Sequence, residues 1–257
     1  MKKIIYFLIV LAIASLIIIS VFYYKIQSPL FTEDSPVFLK SEGNPQTVFQ
    51  KLKSENRISS EIVPIYLAKL KKLKKLKKGY YFFKKGTSCN TFINTLRSGR
   101  QTPIKVTFNN TRTIEDFAGK IARQIDPDSL TLLHFLQNDS VAKSYGFDKA
   151  NFIGMFLPNT YEMYYTTTPQ TFTKRMHKEY ERFWNSKRKE KANQLGYTPQ
   201  QISSLAAIVD EETNKNDEKA CIAGVYLNRL KREIPLQADP TLKFAVGDFS
   251  LKRILNV

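Results

Sequence analysis

The chain has 257 residues, of which 42% are hydrophobic and 25% are charged, as in an ordinary globular protein with room for one or two modest domains. Its unusual property is a formal net charge of +17. The sequence contains no zinc-finger, helix-turn-helix or RNA-binding aromatic motif, so we expect no nucleic acid partner. A basic surface outside the membrane would instead meet anionic lipid headgroups or an anionic cell-wall polymer.

The N-terminus predicts a membrane anchor. Residues 4–24 form an uncharged run that, at about 1.5 Å per residue in a helix, can cross a hydrocarbon core of about 30 Å. The flank before the run is basic and no small-x-small cleavage site follows it. These features favour an uncleaved anchor over residues 1–25 with the N-terminus inside and the rest exported. A cleaved signal sequence is the alternative.

The cysteines and histidines do not indicate a metal or a redox site. Cys89 and Cys221 are far apart and lack Cys-x-x-Cys spacing, and both are expected to be structural rather than a disulfide framework. Cys221 lies among alanine and isoleucine on a predicted helix and is expected to be a small core residue. His134 and His177 have no neighbours at metal-ligand spacing. We therefore predict no metal and no cofactor.

The region from 37 to 125 alternates short strands and helices. Turn and capping signals predict strands at 37–39, 80–83 and 104–108, and helices that begin near residues 45, 60, 88 and 113. This alternation is typical of one or two small α+β modules. A linker at 26–36, with Pro29 and Pro36, would join the modules to the membrane segment.

One of these predicted helices, over residues 60–78, is strongly basic. Its second half, from 69 to 78, contains seven lysines, with Leu70, Leu73 and Leu76 spaced by three. Such a segment could contact an acidic surface. The more common alternative is a solvated helix face whose leucines pack on a small domain.

Residues 126–198 are predicted to be mainly helical, with an interruption at 153–161. Glycine and proline exclude a regular helix there, and aromatic side chains surround a polar Asn159-Thr160 pair. Aromatic loops of this kind line carbohydrate sites, because sugar rings offer apolar faces, but they also fill cores. Asn159 and Tyr161 are therefore candidate substrate-binding residues, with core packing as the alternative.

A long helix near the C-terminus has a clear start signal. Thr198 is the predicted N-cap, Pro199 occupies the first helical position, and Gln201 completes a capping box. The helix is expected to continue to about Thr213. Three consecutive acidic residues, at 210–212, lie at its end.

Helical periodicity gives these three acids different environments. At about 100° per residue, Glu212 falls inside the apolar arc of Leu205 and Val209, whereas Asp210 lies at the edge of this arc and Glu211 points away. An apolar environment disfavours the charged form of a carboxyl, which makes Glu212 a candidate proton donor. The alternative, which geometry alone favours, is a structural hydrogen bond or a buried ion pair.

The residues that follow could return polar groups toward Glu212. A second helix, with Asp217 as its predicted cap, covers 218–231, and a non-helical segment follows at 235–241. The candidates for orienting a sugar or Glu212 are Asn228, Gln237, Asp239 and Thr241. Capping and loop hydrogen bonds are an equally good explanation for these side chains.

These motifs together resemble a known family. The signatures A-A-I-V-D-E-E-T, A-x-V-Y-L-N-R-L and L-Q-A-D-P-T-L, with G-Y-Y-F-F-K-K-G-T-S and G-M-F-L-P-N-T-Y upstream, are similar to those of the MltG or YceG-like endolytic murein transglycosylases. The resemblance implies a LysM-like module or modules at 37–125 and a mostly helical catalytic domain at 126–257. It implies anchoring in the bacterial inner membrane, with the catalytic domain on the periplasmic side. It also implies that Glu212 is the catalytic residue.

Two features depart from the family pattern. The first Glu and the Lys of the family's E-K-E-T are Asp210 and Glu211 here, which leaves the catalytic position intact. The sequence ends at Val257, soon after L-K-R-I-L-N, whereas family members usually continue with an N-T-Y segment and a G-L-P-P-G loop. The catalytic domain is therefore expected to be incomplete at its C-terminus.

The resemblance implies cleavage between N-acetylmuramic acid and N-acetylglucosamine that leaves a 1,6-anhydro end and terminates elongation of the glycan strand. Glu212 would act as acid and then as base, while the muramic 6-hydroxyl attacks C1. Peptidoglycan synthases and division proteins are the protein partners implied. The alternatives are a non-catalytic, membrane-anchored peptidoglycan-binding or scaffold protein, and a hydrolase with a second carboxylate such as Asp239 or Glu162.

Overall fold

The computed structural model describes residues 2–251, which form twelve α-helices, one 3-10 helix and four β-strands. In chain order the elements are α1 (Lys2–Gln27), β1 (Ser35–Leu39), α2 (Pro45–Ser54), α3 (Ile62–Leu70), β2 (Gly79–Phe83), α4 (Cys89–Ser98), β3 (Ile104–Phe108), α5 (Ile114–Ala122), α6 (Ser129–Leu136), α7 (Asp139–Ser144), the 3-10 helix (Phe152–Met155), β4 (Asn159–Met163), α8 (Pro169–Phe183), α9 (Ser186–Gln194), α10 (Pro199–Glu212), α11 (Asn216–Lys231) and α12 (Asp239–Val246). The protein is mostly helical with small sheets, as the predicted α+β class requires. The C-terminal motif L-K-R-I-L-N falls, after Leu251, outside the described residues.

The chain divides into two compact units. The first contains the residues up to Val106 with 124–126 and 161–167, and the second contains 107–123, 127–160 and the residues from Thr168 onward. Helix α5 therefore belongs to the second unit, although the sequence had suggested that it was part of a module at 37–125.

The first unit is built on an antiparallel pair of strands. In β1 and β2, Val37 lies opposite Tyr81, and alternate residues of both strands are buried. The inward side chains pack with α4, whose Phe92 is fully buried and makes edge contacts with the rings of Phe31 and Phe83. The inward-facing side chains of the two strands and the apolar face of α4 thus form one core.

Helix α1 is long and apolar enough to be a candidate membrane span. Residues Lys3–Gln27 have a mean hydropathy of 3.0. Within 3–27 only Phe22 and Ile26 are partly buried, and Ile26 packs against the core of the first unit. The last turns of α1 therefore contact this unit, while the preceding turns are fully exposed.

The segment predicted as a linker, 26–36, is instead part of the first unit. Leu30 and Phe31 are almost completely buried in its core. The backbone pairs Pro29 with Ser88 and Phe31 with Ile58. Buried apolar side chains and backbone pairing, neither of which is visible in the composition of this segment, fix the chain within a few residues of α1.

The prediction of a single helix over 60–78 is wrong, because α3 ends at Leu70. Lys72 adopts a left-handed conformation with φ of 55°, and Leu73 N–H bonds to Ala68 O, as in a Schellman stop. The chain then extends, so that Leu76 pairs with Gly43 and is fully buried. Burial of Leu76 by a distant segment overrides the local helical periodicity.

Aromatic side chains fill the core of the second unit. Phe117 of α5 contacts the rings of Phe108, Phe156 and Phe172, and Phe152 contacts Phe156. The interruption predicted at 153–161 is present, as the 3-10 helix, an extended turn and the start of β4. The aromatic residues in the first half of this interruption are therefore part of the core.

Helices α10 and α11 form a hairpin in the second unit. The capping box at Thr198 and Gln201 is present, and α10 ends one residue before Thr213, as predicted. Leu205 and Val209 pack with Tyr226 of α11, and Ala238 joins them from the segment before α12. This small core fixes the register of the hairpin.

Three local predictions in this hairpin region are wrong. Asp217 does not cap α11, because the helix already begins at Asn216 and Asp217 lies in its first turn, where an acid suits the helix dipole. Asp239 begins α12, with Pro240 in the first turn, so only the first part of 235–241 is non-helical. Cys221 is exposed rather than in the core, whereas Cys89 is buried, and both thiols are free.

Two buried tyrosines allow a matched test of the core. Tyr180 is buried and its hydroxyl has no hydrogen-bond partner among residues 2–251, whereas the buried Tyr81 hydroxyl donates to Lys77 O at 3.0 Å. We expect Tyr180→Phe to raise the free energy of unfolding by about 1 kcal/mol and Tyr81→Phe to lower it by a similar amount. Urea unfolding of the detergent-solubilised chain measures both changes.

Tyr180 should also make the stability of the protein depend on pH. Burial raises the pKa of Tyr180 from 10.0 to about 12, because the folded protein favours the neutral phenol. The free energy of unfolding is therefore unaffected by this group below pH 10.0 and falls as the pH rises toward about 12. Tyr180→Phe should therefore lose less stability than the wild type between these pH values. Equal losses in both proteins would contradict this assignment.

Candidate active site

Glu212 is the last residue of α10, and its side chain is exposed. The prediction that it is buried in the apolar face is wrong. Glu212 does continue the stripe of Leu205 and Val209, but α10 ends there and Thr213 leaves in an extended conformation. Within residues 2–251 no further layer covers the end of the stripe, so this part of the structure leaves the carboxylate accessible to a large ligand.

The carboxylate of Glu212 is held by a buried hydroxyl. Tyr226 of α11 donates to Glu212 Oε2 at 3.1 Å, and the tyrosine ring is only 6% exposed. Burial raises the pKa of Tyr226, and the hydrogen bond to Glu212 raises it further. The phenol therefore stays protonated at neutral pH and orients one carboxylate oxygen.

Glu212 differs from its two acidic neighbours in its partners. Glu211 accepts a bidentate pair from Arg112, with Nη2 to Oε2 at 2.8 Å, and Asp210 accepts from Lys219 at 2.7 Å and from Asn110. Among the described residues, Glu212 has no lysine or arginine ion pair. It is therefore the one acid of the triplet that has no cationic partner within residues 2–251.

The segment after α11 is fixed beside this pair. Arg229 donates to Pro235 O at 3.1 Å, to Leu236 O at 2.7 Å and to Gln237 Oε1 at 3.1 Å. The charge of Asp239 raises the pKa of Tyr226 and that of Arg229 lowers it, so both lie near the phenol. The hairpin and the return segment thus meet around Tyr226.

The structure separates the sequence candidates by location. Gln237 and Asp239 are exposed and belong to the cluster around Tyr226, while Asn228 is exposed on α11. Thr241 donates its hydroxyl to Ala238 O at 2.7 Å, the local capping bond that was the alternative explanation. Gln237 and Asp239 are thereby connected to the surroundings of Glu212, and Thr241 lines a cavity that Asp210 and Glu211 also line.

The candidates of β4 have different surroundings. Tyr161 is buried, with 7% of its surface exposed, so it offers little ring surface to a sugar. Asn159 is exposed, but its Oδ1 accepts from the backbone N–H of Thr160 at 2.7 Å. Glu162, the second candidate carboxylate of a hydrolase, is exposed on the same strand.

Sequence reasoning missed two features of the second unit. Tyr226 was not predicted to contact Glu212, although a buried tyrosine usually needs a partner for its hydroxyl, and that need is the signal that would have found it. The second feature is a largely apolar cavity of about 830 Å³, lined in part by Trp184, Phe244, Asp210 and Glu211. Its walls come from distant segments, so no local pattern marks it.

The described residues contain no group of three or more histidine, cysteine, aspartate or glutamate side chains that could hold a metal ion. One exposed carboxylate, one buried phenol and a loop fixed by Arg229 lie together at the hairpin. A carboxyl group in such a position can exchange a proton with a ligand at the protein surface.

Comparison with known proteins identifies the family. The model of the YceG-like family matches residues 37–256, which is most of the chain. The protein belongs to the YceG-like family. A YceG-like protein from Listeria monocytogenes has a similar solved structure, with a TM-score of 0.54 and 19% identity over 86% of this chain and 78% of that one, and this likeness shows the fold.

Two relatives with similar sequences are both named endolytic murein transglycosylase. The protein from Bacillus subtilis (strain 168) is 24% identical over 226 residues, covering 81% of this chain and 62% of its own length. The protein from Streptococcus pneumoniae serotype 2 (strain D39 / NCTC 7466) is 23% identical over 240 residues, covering 80% of this chain and 42% of its own length. The chain thus spans less than two thirds of each relative.

Proposed function

We propose that this YceG-like protein is a membrane-anchored lytic transglycosylase. It cleaves the bond between N-acetylmuramic acid and N-acetylglucosamine within nascent peptidoglycan strands, and the resulting 1,6-anhydro end terminates elongation. The hydrogen bond from Tyr226 to Glu212 carries the proposal, because it holds one oxygen of an exposed carboxylate and leaves the other free for a substrate. The names of the curated relatives support the substrate class.

The first chemical step is protonation of the leaving group. Glu212, in its acid form, gives its proton to the glycosidic oxygen as the bond from that oxygen to C1 breaks. Positive charge develops at C1 and the ring oxygen. A bound glycan strand would cover Glu212 and replace the water around it, so the strand itself would provide the apolar surroundings that the fold lacks there.

The second step closes the anhydro ring. The muramic 6-hydroxyl oxygen bonds to C1 of the same sugar, and its proton passes to the Glu212 carboxylate, which restores the acid form. The nucleophile is tethered to the reacting carbon, so no second carboxylate is needed to activate water. The phenol of Tyr226 keeps the carboxylate oriented in both steps.

Exposed polar groups beside Glu212 are proposed to contact the sugars. Gln237 and Asp239 lie on the segment fixed by Arg229, and Asn228 is exposed on α11. Asn159 could contact the strand from β4, whereas Thr241 and Tyr161 would act through local structure. None of these roles requires a cofactor or metal.

The wider assignment follows from the proposed reaction. Peptidoglycan lies outside the cytoplasmic membrane, so α1 is proposed to span that membrane once, with its N-terminus in the cytoplasm. The first unit, which contains most of the predicted segment 37–125, is proposed to hold the LysM-like module or modules, and the second unit, which contains most of 126–257, is proposed as the catalytic domain. Synthases and division proteins acting on the same nascent strands are the proposed partners.

Mass analysis of products from purified glycan strands tests the function. We expect strand ends that carry 1,6-anhydro-N-acetylmuramic acid. Reducing ends would instead identify a hydrolase with a second carboxylate. Binding of the strands without any cleavage would identify a peptidoglycan-binding or scaffold protein and would contradict the proposal.

The role of Asp239 gives a smaller prediction. If Asp239 only positions sugar, Asp239→Asn should lower kcat/KM by roughly tenfold or less, since the asparagine oxygen still accepts a hydrogen bond and only the extra strength of the charged acceptor, about 1 kcal/mol, is lost. All products should remain anhydro ends. Complete loss of cleavage in Asp239→Asn, with Glu162→Gln unaffected, would show that Asp239 takes part in the chemistry.

A further inference from the structure

Helix α3 has an exposed apolar face that the proposed reaction does not use. Ile62, Tyr66 and Leu70 are 61%, 61% and 71% exposed. They recur every four residues and therefore lie along one side of the helix. The opposite side, with Leu67 and Ala68, packs into the core of the first unit.

Free lysines border this face. The ammonium of Lys69 lies 5.9 Å from the centre of the Tyr66 ring, on the same side of the helix. Lys72 lies in the turn that ends α3, Lys74 lies on the extended segment that follows, and both are exposed. Within residues 2–251 none of the three has an ion pair with a carboxylate.

Other lysines of the same segment are engaged by the protein itself. Lys71 donates to Asn90 and Asn94, while Lys75 pairs with Glu42 and Lys78 with Asp126. The free charges are therefore concentrated beside the apolar stripe. An apolar stripe edged by free cations is the pattern of a helix that lies in the headgroup region of an anionic bilayer.

The position of α3 relative to the candidate membrane span supports this partner. Helix α3 contacts α1, and the only partly buried residues of α1, Phe22 and Ile26, are in its last turns. If residues 4–24 fill a hydrocarbon core of about 30 Å, those turns lie at the membrane surface. Tyr23 and Tyr24 fit that level, since tyrosine favours the interface.

The connection between α1 and the first unit is short and held in place. Leu30 and Phe31 are buried in the core that also contains Leu67. The chain thus passes from α1 into this core within four residues of Gln27. A flexible tether that could carry α3 away from the bilayer is therefore lacking among these described residues.

We propose that the exposed face of α3, with Lys69, Lys72 and Lys74, docks on anionic phospholipid at the outer surface of the membrane that α1 spans. The inference rests on the proposed membrane topology of α1. Docking would hold the first unit flat on the bilayer next to the site where nascent strands emerge. The apolar stripe enters the headgroup region and the lysines take the lipid phosphates.

A fluorescent label on α3 tests the docking directly. The full chain with Leu70→Cys and Cys221→Ser carries an environment-sensitive dye at residue 70; the remaining thiol, Cys89, is buried, and burial raises its pKa to about 12, so it does not react. The chain is reconstituted in vesicles of phosphatidylcholine, alone or mixed with phosphatidylglycerol in equal parts. Flotation after alkaline washing first establishes whether α1 is inserted.

In the mixed vesicles we expect the dye at residue 70 to emit at shorter wavelength and to be quenched by brominated lipid. In phosphatidylcholine alone, most of this wavelength shift should be absent. The shift should also be lost in the triple variant Lys69→Gln, Lys72→Gln, Lys74→Gln. A matched triple variant of exposed lysines in the second unit, Lys174→Gln, Lys178→Gln, Lys187→Gln, should keep it. A dye at the exposed Leu130 of α6 controls for insertion of the dye itself.

Several results would overturn the proposal. An inserted chain whose dye at residue 70 stays in water would show that α3 does not dock. An equal shift in both vesicle types, or in the Lys69, Lys72 and Lys74 variant, would show that no anionic lipid is recognised. A shift produced by soluble poly(glycerol phosphate) in phosphatidylcholine vesicles, as large as that with phosphatidylglycerol, would assign the face to an anionic polymer. A chain that fails to float would refute the topology of α1, and the docking with it.

Discussion

Replacing Glu212 with glutamine is expected to abolish the formation of anhydro ends. Glutamine has nearly the same shape but can neither give a proton to the glycosidic oxygen nor accept one from the 6-hydroxyl. Because one carboxyl performs both transfers, we expect the turnover rate to fall by about 10⁴-fold, the upper end for general acid-base catalysis. Product formation on purified glycan strands, followed by mass analysis, measures the loss.

The neighbouring acid provides the control for this variant. Glu211→Gln removes one negative charge one residue away and weakens an exposed pair with Arg112, which costs about 1 kcal/mol of stability or less. It should retain most of the activity. Glu212→Gln should lower the free energy of unfolding by about 1 kcal/mol or less, because the side chain is exposed and the glutamine oxygen can still accept from Tyr226. Retained cleavage in Glu212→Gln would refute the assignment.

Removing the Tyr226 hydroxyl is expected to lower kcat by roughly 10-fold to 100-fold. Hydrogen bonds to charged groups contribute about 1.5–3 kcal/mol, and Tyr226→Phe deletes the bond that orients Glu212 Oε2. KM should change little, since the phenol is buried and touches the carboxylate rather than sugar. Initial rates over a range of strand concentrations separate the two constants.

Tyr180→Phe is the matched control for this experiment. Tyr180 is another buried tyrosine of the second unit, and its hydroxyl makes no hydrogen bond within the described structure. Its removal should leave kcat unchanged. If Tyr226→Phe and Tyr180→Phe gave the same kcat, the phenol would have no role in positioning Glu212.

The sequence predicted those elements of the fold whose signals are local. The capping box of Thr198 and Gln201 involves neighbours only, and it is present. The strand at 104–108 was likewise predicted from local sequence and is present as β3. The end of α3 was missed, because the deciding contact joins Leu76 to Gly43, far away in the chain.

The same difference between local signals and long-range contacts explains which features of the site were predicted and which were missed. Helical periodicity correctly placed Glu212 on the same side of α10 as Leu205 and Val209. Periodicity does not show how far along a helix the packing extends, and here the packed core ends before Glu212. Tyr226 was missed as a partner because the register of α10 against α11 is set by tertiary packing. The short helix that begins at Asp239 was missed because Pro240 was read as part of a turn, although proline suits the first turn of a helix equally well.

The exposed position of Glu212 suits a polymeric substrate. A carboxyl inside a core could serve only a small ligand, whereas a strand can lie across the end of α10 and contact the loop fixed by Arg229. In the proposed reaction, proton transfer would depend on how the bound strand displaces water and on the orientation given by Tyr226. The substrate, rather than the fold alone, would then complete the environment of Glu212.

The central claim is that the attacking oxygen belongs to the sugar, so that a single carboxyl is sufficient. Cleavage of purified glycan strands in water enriched with heavy oxygen tests this most directly, with mass analysis of the new strand ends. We expect anhydro ends that contain no heavy oxygen. Reducing ends that have gained one heavy oxygen atom would show that water attacks C1 and would refute the proposed reaction.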